Sequence, residues 1–311
     1  MDRLTVVTGA LGYSGKAIAE RLIARGDRVR TLTNSPDRPN SFGAHLEVRP
    51  LAFENHSALV DSLRGVDTFV NTYWVRFNHK LFTFAKAVEN TKRLFAAAKH
   101  AGVRRIVHVS ILKPEQGRGL AYYEGKLELE RFLRELDIGH AILRPGVLFG
   151  RGDILVNNIA WTLRHLPLFG VFGDGKYKLQ PMHVDDFAEL AIECADREND
   201  FTVDAVGPET FKYRDLVRTI GQIIGVRRAI VAVPLGFGYA VSKLINPFVG
   251  DVIITREEIE GLMRGLLFSD GTRSGSIRLT DWTREHREVL GRRYASEVGR
   301  RIKRTIAYEK V

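Results

Sequence analysis

The chain has 311 residues, a single cysteine, 44% hydrophobic residues and a net charge of +10. That length suits one large α/β unit with an appended region, or two domains. Cys194 alone excludes an intrachain disulfide, and no apolar run reaches the ~18 residues of a spanning helix. The sequence enters an apolar strand pattern within four residues of its start, which leaves no room for a signal peptide, so a cytoplasmic protein is expected.

The first strand pattern, 4–8, runs into a turn with glycines at positions 9, 12 and 15, followed by a helical pattern at 16–25. Gly9 lets the chain leave the strand sharply. Gly12 removes a side chain where a pyrophosphate would touch backbone, and Gly15 lets the helix lie close on the strand. Leu11, Tyr13 and Ser14 complete the turn, and the helix start offers free N–H groups to phosphates. Further strand patterns lie at 28–33, 45–51, 68–72, 105–110, 140–143 and 201–205. Helical patterns alternate with them at 55–64, 80–101, 120–136 and 184–195. Short, almost wholly apolar strands alternating with helices imply a doubly wound parallel sheet, covered on both faces. A ligand then sits beyond the carboxyl ends of the strands.

From Arg151 the alternation loosens. After Pro208, helical patterns at 212–224, 235–246, 255–267 and 284–306 suggest a smaller, mainly helical region. The expected division is a nucleotide-binding domain over 1–150, completed by 183–207, and a substrate-binding or lid region over 151–182 and 208–311. Asp185 and Asp186 follow His183 and are expected to cap the helix there. Cys194 reads as buried filler. Arginines and lysines crowd the tail from Arg284 to Arg304, with glutamates interspersed, as on a solvated helix face. No nucleic-acid-binding module is visible, while peripheral contact with an anionic membrane stays open.

The candidate chemistry falls at strand ends. After the second strand the sequence reads Thr33-Asn34-Ser35-Pro36-Asp37-Arg38, with no acid directly at the strand tip to hold a ribose 2′-hydroxyl. Neutral polar groups and an arginine suit a 2′-phosphate, which favours NADP(H) over NAD. Ser110 ends the fifth strand. Tyr122 and Lys126 follow, four apart on one helix face. An ammonium beside a phenol favours the phenolate, so this pair can exchange a proton with a carbonyl or alcohol while a hydride moves. Tyr73, Trp74, Phe77, Phe149 and Trp161 are either core or an apolar pocket lining. The nine histidines show no metal-ligand spacing, and no metal is expected.

These features together resemble the short-chain dehydrogenase/reductase superfamily, in its extended and atypical branches. The resemblance rests on TGALGYSG at 8–15, Asn90-Thr91, VHVSIL at 107–112, YYEGK at 122–126, LRPGVLFG at 143–150 and MHVDDFA at 182–188. It implies a Rossmann fold, catalytic roles for Tyr122 and Lys126, and Ser110 as a hydrogen-bond donor to the substrate carbonyl. It places Lys126 on the nicotinamide ribose, with Pro145, Gly146 and Val147 against the nicotinamide end. Leu51, Thr72, Tyr73 and Asn90 complete the implied cofactor contacts. Pro50 departs from the family's usual Asp, and Asn71-Thr72-Tyr73-Trp74 is bulkier than the family's small, apolar segment. The segment 254–271 is similar to a branch that includes the nucleotide-binding accessory subunit of respiratory complex I. The expected function is that of an NADP(H)-dependent oxidoreductase acting on a carbonyl, or an activated double bond, of a small, moderately apolar molecule. The alternatives are an NAD-retaining sugar-nucleotide epimerase or dehydratase, and a non-catalytic NADPH-binding partner protein.

Overall fold

The computed structural model describes residues 3–234 and 255–308; the helical pattern expected at 235–246 lies outside the described residues. The elements begin with β1 (Leu4–Thr8), α1 (Ser14–Ala24), β2 (Arg28–Thr33), β3 (Leu46–Pro50), α2 (His56–Leu63), β4 (Thr68–Asn71), α3 (Phe84–His100) and β5 (Arg105–Val109). Then come α4 (Ala121–Glu135), β6 (Gly139–Pro145), β7 (Leu148–Phe149), α5 (Leu155–His165), β8 (Leu168–Phe172), β9 (Lys178–Leu179), β10 (Met182–His183) and α6 (Val184–Asp196). The chain continues with β11 (Phe201–Ala205), β12 (Phe211–Lys212), α7 (Tyr213–Ile223), β13 (Ala229–Val233), α8 (Arg256–Met263), α9 (Leu279–Glu285) and α10 (Glu297–Ile302). The described residues fall into two compact units. One holds 3–145, 187–205 and 305–308, the other 146–186, 206–234 and 255–304.

The first unit is built on a seven-stranded sheet in the order β11-β6-β5-β4-β1-β2-β3. Every pairing in it is parallel. This is a Rossmann-like α/β fold, with its topological switch between β1 and β4. All residues of β1 and β4 are buried, as expected of central parallel strands made of apolar residues and threonines, with Asn71 closing β4. Val6, Phe69, Ile106 and Ile142 from the strands meet Leu94, Phe95, Leu129 and Leu133 from α3 and α4 in one core cluster. The edge strand β3 carries Glu47 and Arg49, joined at 2.8 Å, and ends in Pro50.

Gly9 and Gly15 explain how α1 follows β1. Gly9 has φ of +70°, a left-handed value that favours glycine, and it turns the chain off the strand. A Cβ on Gly15 would lie 2.4 Å from the Gly9 carbonyl oxygen and 3.0 Å from that of Thr8. The helix therefore rests on the strand backbone itself.

The second unit encloses its own core, with Phe149, Ile159, Leu163, Phe169, Val171, Leu216, Ile220 and Trp282 buried together. Three two-stranded pairings, β7 with β10, β9 with β12 and β8 with β13, brace it. Two expectations are corrected here. The pattern at 284–306 is not one helix: α9 ends at Glu285 and α10 starts only at Glu297. Between them the chain is tied to α5, because Asn157 and Asn158 donate to the Arg293 and Ala295 carbonyls and accept from the Gly291 and Ala295 N–H groups. Ser296 then caps the new helix through the Gly299 N–H. Nor is Asp186 free to cap α6, although it lies with Asp185 in the first turn of that helix. His183 Nδ1 accepts the Asp185 N–H at 3.2 Å, while Asp186 takes the Ser276 and Ile277 N–H groups, each at 2.8 Å. The second carboxylate thus anchors the 274–277 segment.

Gly15→Ala is expected to cost about 1–3 kcal/mol, since the new methyl meets backbone that has no rotamer to escape through. Urea denaturation measures it. An unchanged midpoint would mean that the close approach of α1 to β1 is not enforced by Gly15.

Candidate functional site

The site begins at the glycine turn. The Gly12 N–H donates to the Gly9 carbonyl at 2.8 Å, and the Ala10 N–H donates to Thr31 Oγ1 at 3.2 Å. A Cβ on Gly12 would lie 3.1 Å from the Gly9 oxygen. The α1 N-terminus, at Tyr13, Ser14 and Gly15, has neither a side-chain cap nor an acid in its first turn. Neither a capping side chain nor a first-turn acid thus meets the positive end of its dipole, and the turn fits a pyrophosphate. Leu11 is buried beside it.

At the tip of β2, Thr33 Oγ1 accepts the Ser35 N–H at 3.0 Å, and the Arg38 N–H donates to the Ser35 carbonyl at 3.1 Å. Asn34 is exposed on this turn. Arg38 is buried, and its guanidinium lies over the Tyr308 ring, 5.9 Å from the centroid. Leu51 follows β3, its N–H bonded to the Thr33 carbonyl at 3.1 Å.

Thr8 organises the centre. Its hydroxyl accepts the Thr72 and Tyr73 N–H groups at 2.8 and 3.1 Å, and Thr72 Oγ1 donates back to the Thr8 carbonyl at 2.5 Å. Thr8 Oγ1 also donates to Asn71 Oδ1 at 3.2 Å, and Asn71 Nδ2 meets His108 Nδ1 at 3.1 Å. Burial, and then the Lys126 charge, hold His108 well below the usual imidazole range. Asn90 Nδ2 donates to the Tyr73 hydroxyl at 3.0 Å, while its buried Oδ1 has no hydrogen-bond partner among the described residues. Polar groups thus line the carboxyl ends of β1, β4 and β5.

Trp74 carries this line on to α4. Its ring stacks with Phe84 at 6.0 Å and meets Tyr122 edge-on at 5.6 Å. The Lys126 ammonium sits 4.3 Å above the same ring and donates to the Val109 carbonyl at 2.7 Å. Tyr122 and Lys126 therefore share one aromatic neighbour, as their spacing on α4 suggests. Burial brings the Lys126 pKa down to about 7, against the pull of the Glu130 charge.

Ser110 differs from expectation. Its hydroxyl donates to Glu130 Oε1 at 2.6 Å, and Glu130 is fully buried under a two-pronged Arg144 contact at 2.9 and 2.6 Å. Burial acts against the Glu130 charge, but these hydrogen bonds hold its pKa below the usual carboxylate value. The serine proton is directed into the core, so the expected carbonyl-side donor is here part of an internal ion network. Pro145 accepts the Leu112 N–H at 3.0 Å. Gly146 and Val147 fall in the second compact unit, where the Val147 carbonyl accepts the Met182 N–H at 2.9 Å.

Of the five aromatics weighed from sequence, Phe77 and Phe149 are core and Trp161 stacks on His165, while Tyr73 and Trp74 join Phe84 and Tyr122 at the site. Sequence reasoning missed Glu130, His108 and Tyr308. Glu130 was within reach, lying four residues beyond Lys126 on the same face of α4. Cys194 is buried, with its thiol pushed up to about 12. Among the described residues no cluster of His, Cys, Asp and Glu side chains could hold a metal ion, and no helix is long and apolar enough to cross a membrane.

Residues 9–157 match the model of the NAD(P)H-binding family. The chain carries an NAD(P)H-binding domain. A mitochondrial NADH-ubiquinone oxidoreductase 40 kDa subunit of Neurospora crassa is 24% identical over 266 residues, covering 82% of this chain and 69% of the relative. A (4-alkanoyl-5-oxo-2,5-dihydrofuran-3-yl)methyl phosphate reductase of Streptomyces griseus is 26% identical over 227 residues, covering 71% and 74%. An NADPH-dependent quinone oxidoreductase of Escherichia coli, solved with NADPH, superposes with a TM-score of 0.70 at 20% identity, covering 86% of this chain and 92% of that one. The recognition from sequence, both of the dehydrogenase/reductase type and of the complex I subunit branch, agrees with these likenesses.

The buried Lys126 in the NAD(P)H-binding domain makes stability depend on pH. Between about pH 7 and pH 10 the unfolded chain keeps a lysine proton that the folded chain has lost, so stability rises with pH. Relative to Lys126→Met, the cofactor-free wild type should gain up to about 1.4 kcal/mol per pH unit across that window. Paired denaturation curves test this, and a difference that stays flat with pH would refute the depressed pKa.

Proposed function

We propose that the protein is an NADP(H)-dependent oxidoreductase. It transfers hydride between the nicotinamide and a carbonyl, or an activated double bond, of a small, moderately apolar molecule. The observation that carries this reading is the Tyr122–Lys126 pair around Trp74, with the ammonium buried and its pKa near 7. The glycine turn and the α1 N-terminus hold the pyrophosphate, and Asn90, whose Oδ1 lacks a partner among the described residues, takes a donor from the cofactor side. When bound, the cofactor supplies the hydride. Tyr122 then gives its hydroxyl proton to the substrate oxygen, and the Lys126 charge stabilises the phenolate left behind. Trp74 and Phe84 keep water from that exchange. Ser110 fixes the end of β5 through Glu130 and is a positioning residue in this reading.

A second reading has its own support. The committed Ser110 hydroxyl and the likeness to a respiratory-chain subunit favour a chain that holds NADPH without turnover. The sugar-nucleotide epimerase reading gains nothing from the site, whose described aromatics crowd Tyr122.

Tyr122→Phe separates the two. Turnover of ketones, enones or quinones, followed by NADPH absorbance, should fall by about 10²–10⁴-fold while NADPH affinity survives. A variant indistinguishable from wild type, with no substrate turned over by either, would leave the holder as the correct reading. Arg38→Ala should weaken NADPH and spare NADH, because only NADPH presents a 2′-phosphate to this guanidinium. Calorimetry with both cofactors reads this, and equal losses would sink the assignment of Arg38.

A further inference from the structure

The second compact unit has a cationic and apolar face unrelated to the nucleotide turn. A cleft of about 320 Å³ opens between α7 and the start of β13. Arg214, Arg218, Arg227 and Arg228 stand around it, over a floor that includes Leu163 and Val217. Arg218 is paired with Asp215 at 2.6 Å, whereas Arg227 is exposed and has no ion pair among the described residues. Arg228 Nε donates to the Leu163 carbonyl at 3.0 Å, and so ties the cleft to the end of α5.

More cations gather beside that helix end. Arg164 donates to the Leu290 and Arg287 carbonyls at 2.9 and 2.7 Å, bringing the 287–292 turn and its arginines alongside. Burial and the Arg292 charge both lower the Arg164 pKa, as expected where guanidinium groups crowd. Glu288 faces Arg287 and Arg292 and offsets part of that charge.

Apolar side chains also stand exposed in this unit. Among the described residues of this unit the exposed large apolar ones are Leu166, Leu168, Val231, Met263, Val289 and Ile302. Leu166, Leu168 and Val231 lie on or beside the β8–β13 pair, which starts one residue after Arg228, and Val289 lies on the turn whose Leu290 carbonyl Arg164 binds. On β8 and β13 the outward positions Leu168, Gly170, Ala229 and Val231 offer no polar side chain.

We propose that this face docks the protein on an anionic phospholipid membrane. The arginine cleft receives lipid phosphates, and Leu166, Leu168, Val231 and Val289 enter the acyl boundary. Exposed apolar residues beside unneutralised cations match the two components of such a surface: an anionic headgroup layer over hydrocarbon. A protein partner of ordinary polarity would leave Arg227 and its neighbours without counter-charges, so charge complementarity selects the lipid surface.

Flotation of the full chain with phosphatidylcholine vesicles, with and without phosphatidylglycerol, tests this. Binding is expected only to the mixed vesicles and should weaken as salt is raised. Arg227→Glu removes two units of charge and should weaken binding about 25-fold, at about fivefold per unit. Leu168→Ser with Val289→Ser should weaken it about tenfold by removing the apolar insertion. Both variants should keep the wild-type melting temperature and NADPH affinity, which separates this face from the nucleotide site. Equal binding to neutral vesicles, no binding at low salt, or unaffected variants would overturn the proposal. So would a stable dimer that these substitutions dissociate, since the face would then belong to a second copy.

Discussion

The close contact between backbone and backbone at the start of the chain sets the terms for the first unit. Gly15 admits α1 onto β1 at a distance no side chain could tolerate, and Gly9 supplies the left-handed turn that gets it there. Because the helix sits so low, its N-terminal N–H groups stand directly beyond the strand end. Thr8, the last residue of that strand, can then bind the backbone of Thr72 and Tyr73. Through those bonds the end of β4 is set, Trp74 is presented to α4, and Lys126 acquires its aromatic cover. A single steric allowance near the N-terminus is thus transmitted along the strand ends to a lysine more than a hundred residues away.

The same region contains two buried charges treated in opposite ways. Glu130 is surrounded by donors, Arg144, Arg134 and Ser110, and remains ionised despite complete burial. Lys126 has one carbonyl acceptor and an aromatic face, and its proton is held loosely. Fully satisfied networks fix geometry, while a partly compensated ion stays poised to titrate. The two lie one helical turn apart on α4, so the rigid group positions the labile one.

Much of the first unit was legible because its strands and helices obey strict periodicities. All seven sheet strands were expected within a few residues, as were α1 to α4 and α6. The glycine spacing and the four-residue step from Tyr122 to Lys126 are local and were readable. The direction of Ser110 was not, since it depends on Glu130 twenty residues later and on Arg144 on another strand. Tyr308 beside Arg38 joins positions 270 residues apart, and no local pattern signals it. In the second unit the tail looked helical by its pattern, but Asn157 and Asn158 captured its backbone through side-chain hydrogen bonds. Asp186 likewise left its expected capping role for a distant segment.

The outer edge of the sheet has a consequence for how this protein survives crowding. An open edge strand is a template for further strands and thus for aggregation. Here β3 is short, carries the charged Glu47 and Arg49, and ends in Pro50, which has no N–H to offer. An incoming strand would have to bury those charges and would find its ladder stopped at the proline. The departure at Pro50 from the usual family residue thus acts as a guard against sheet extension, leaving a seven-stranded sheet that resists growth in this direction.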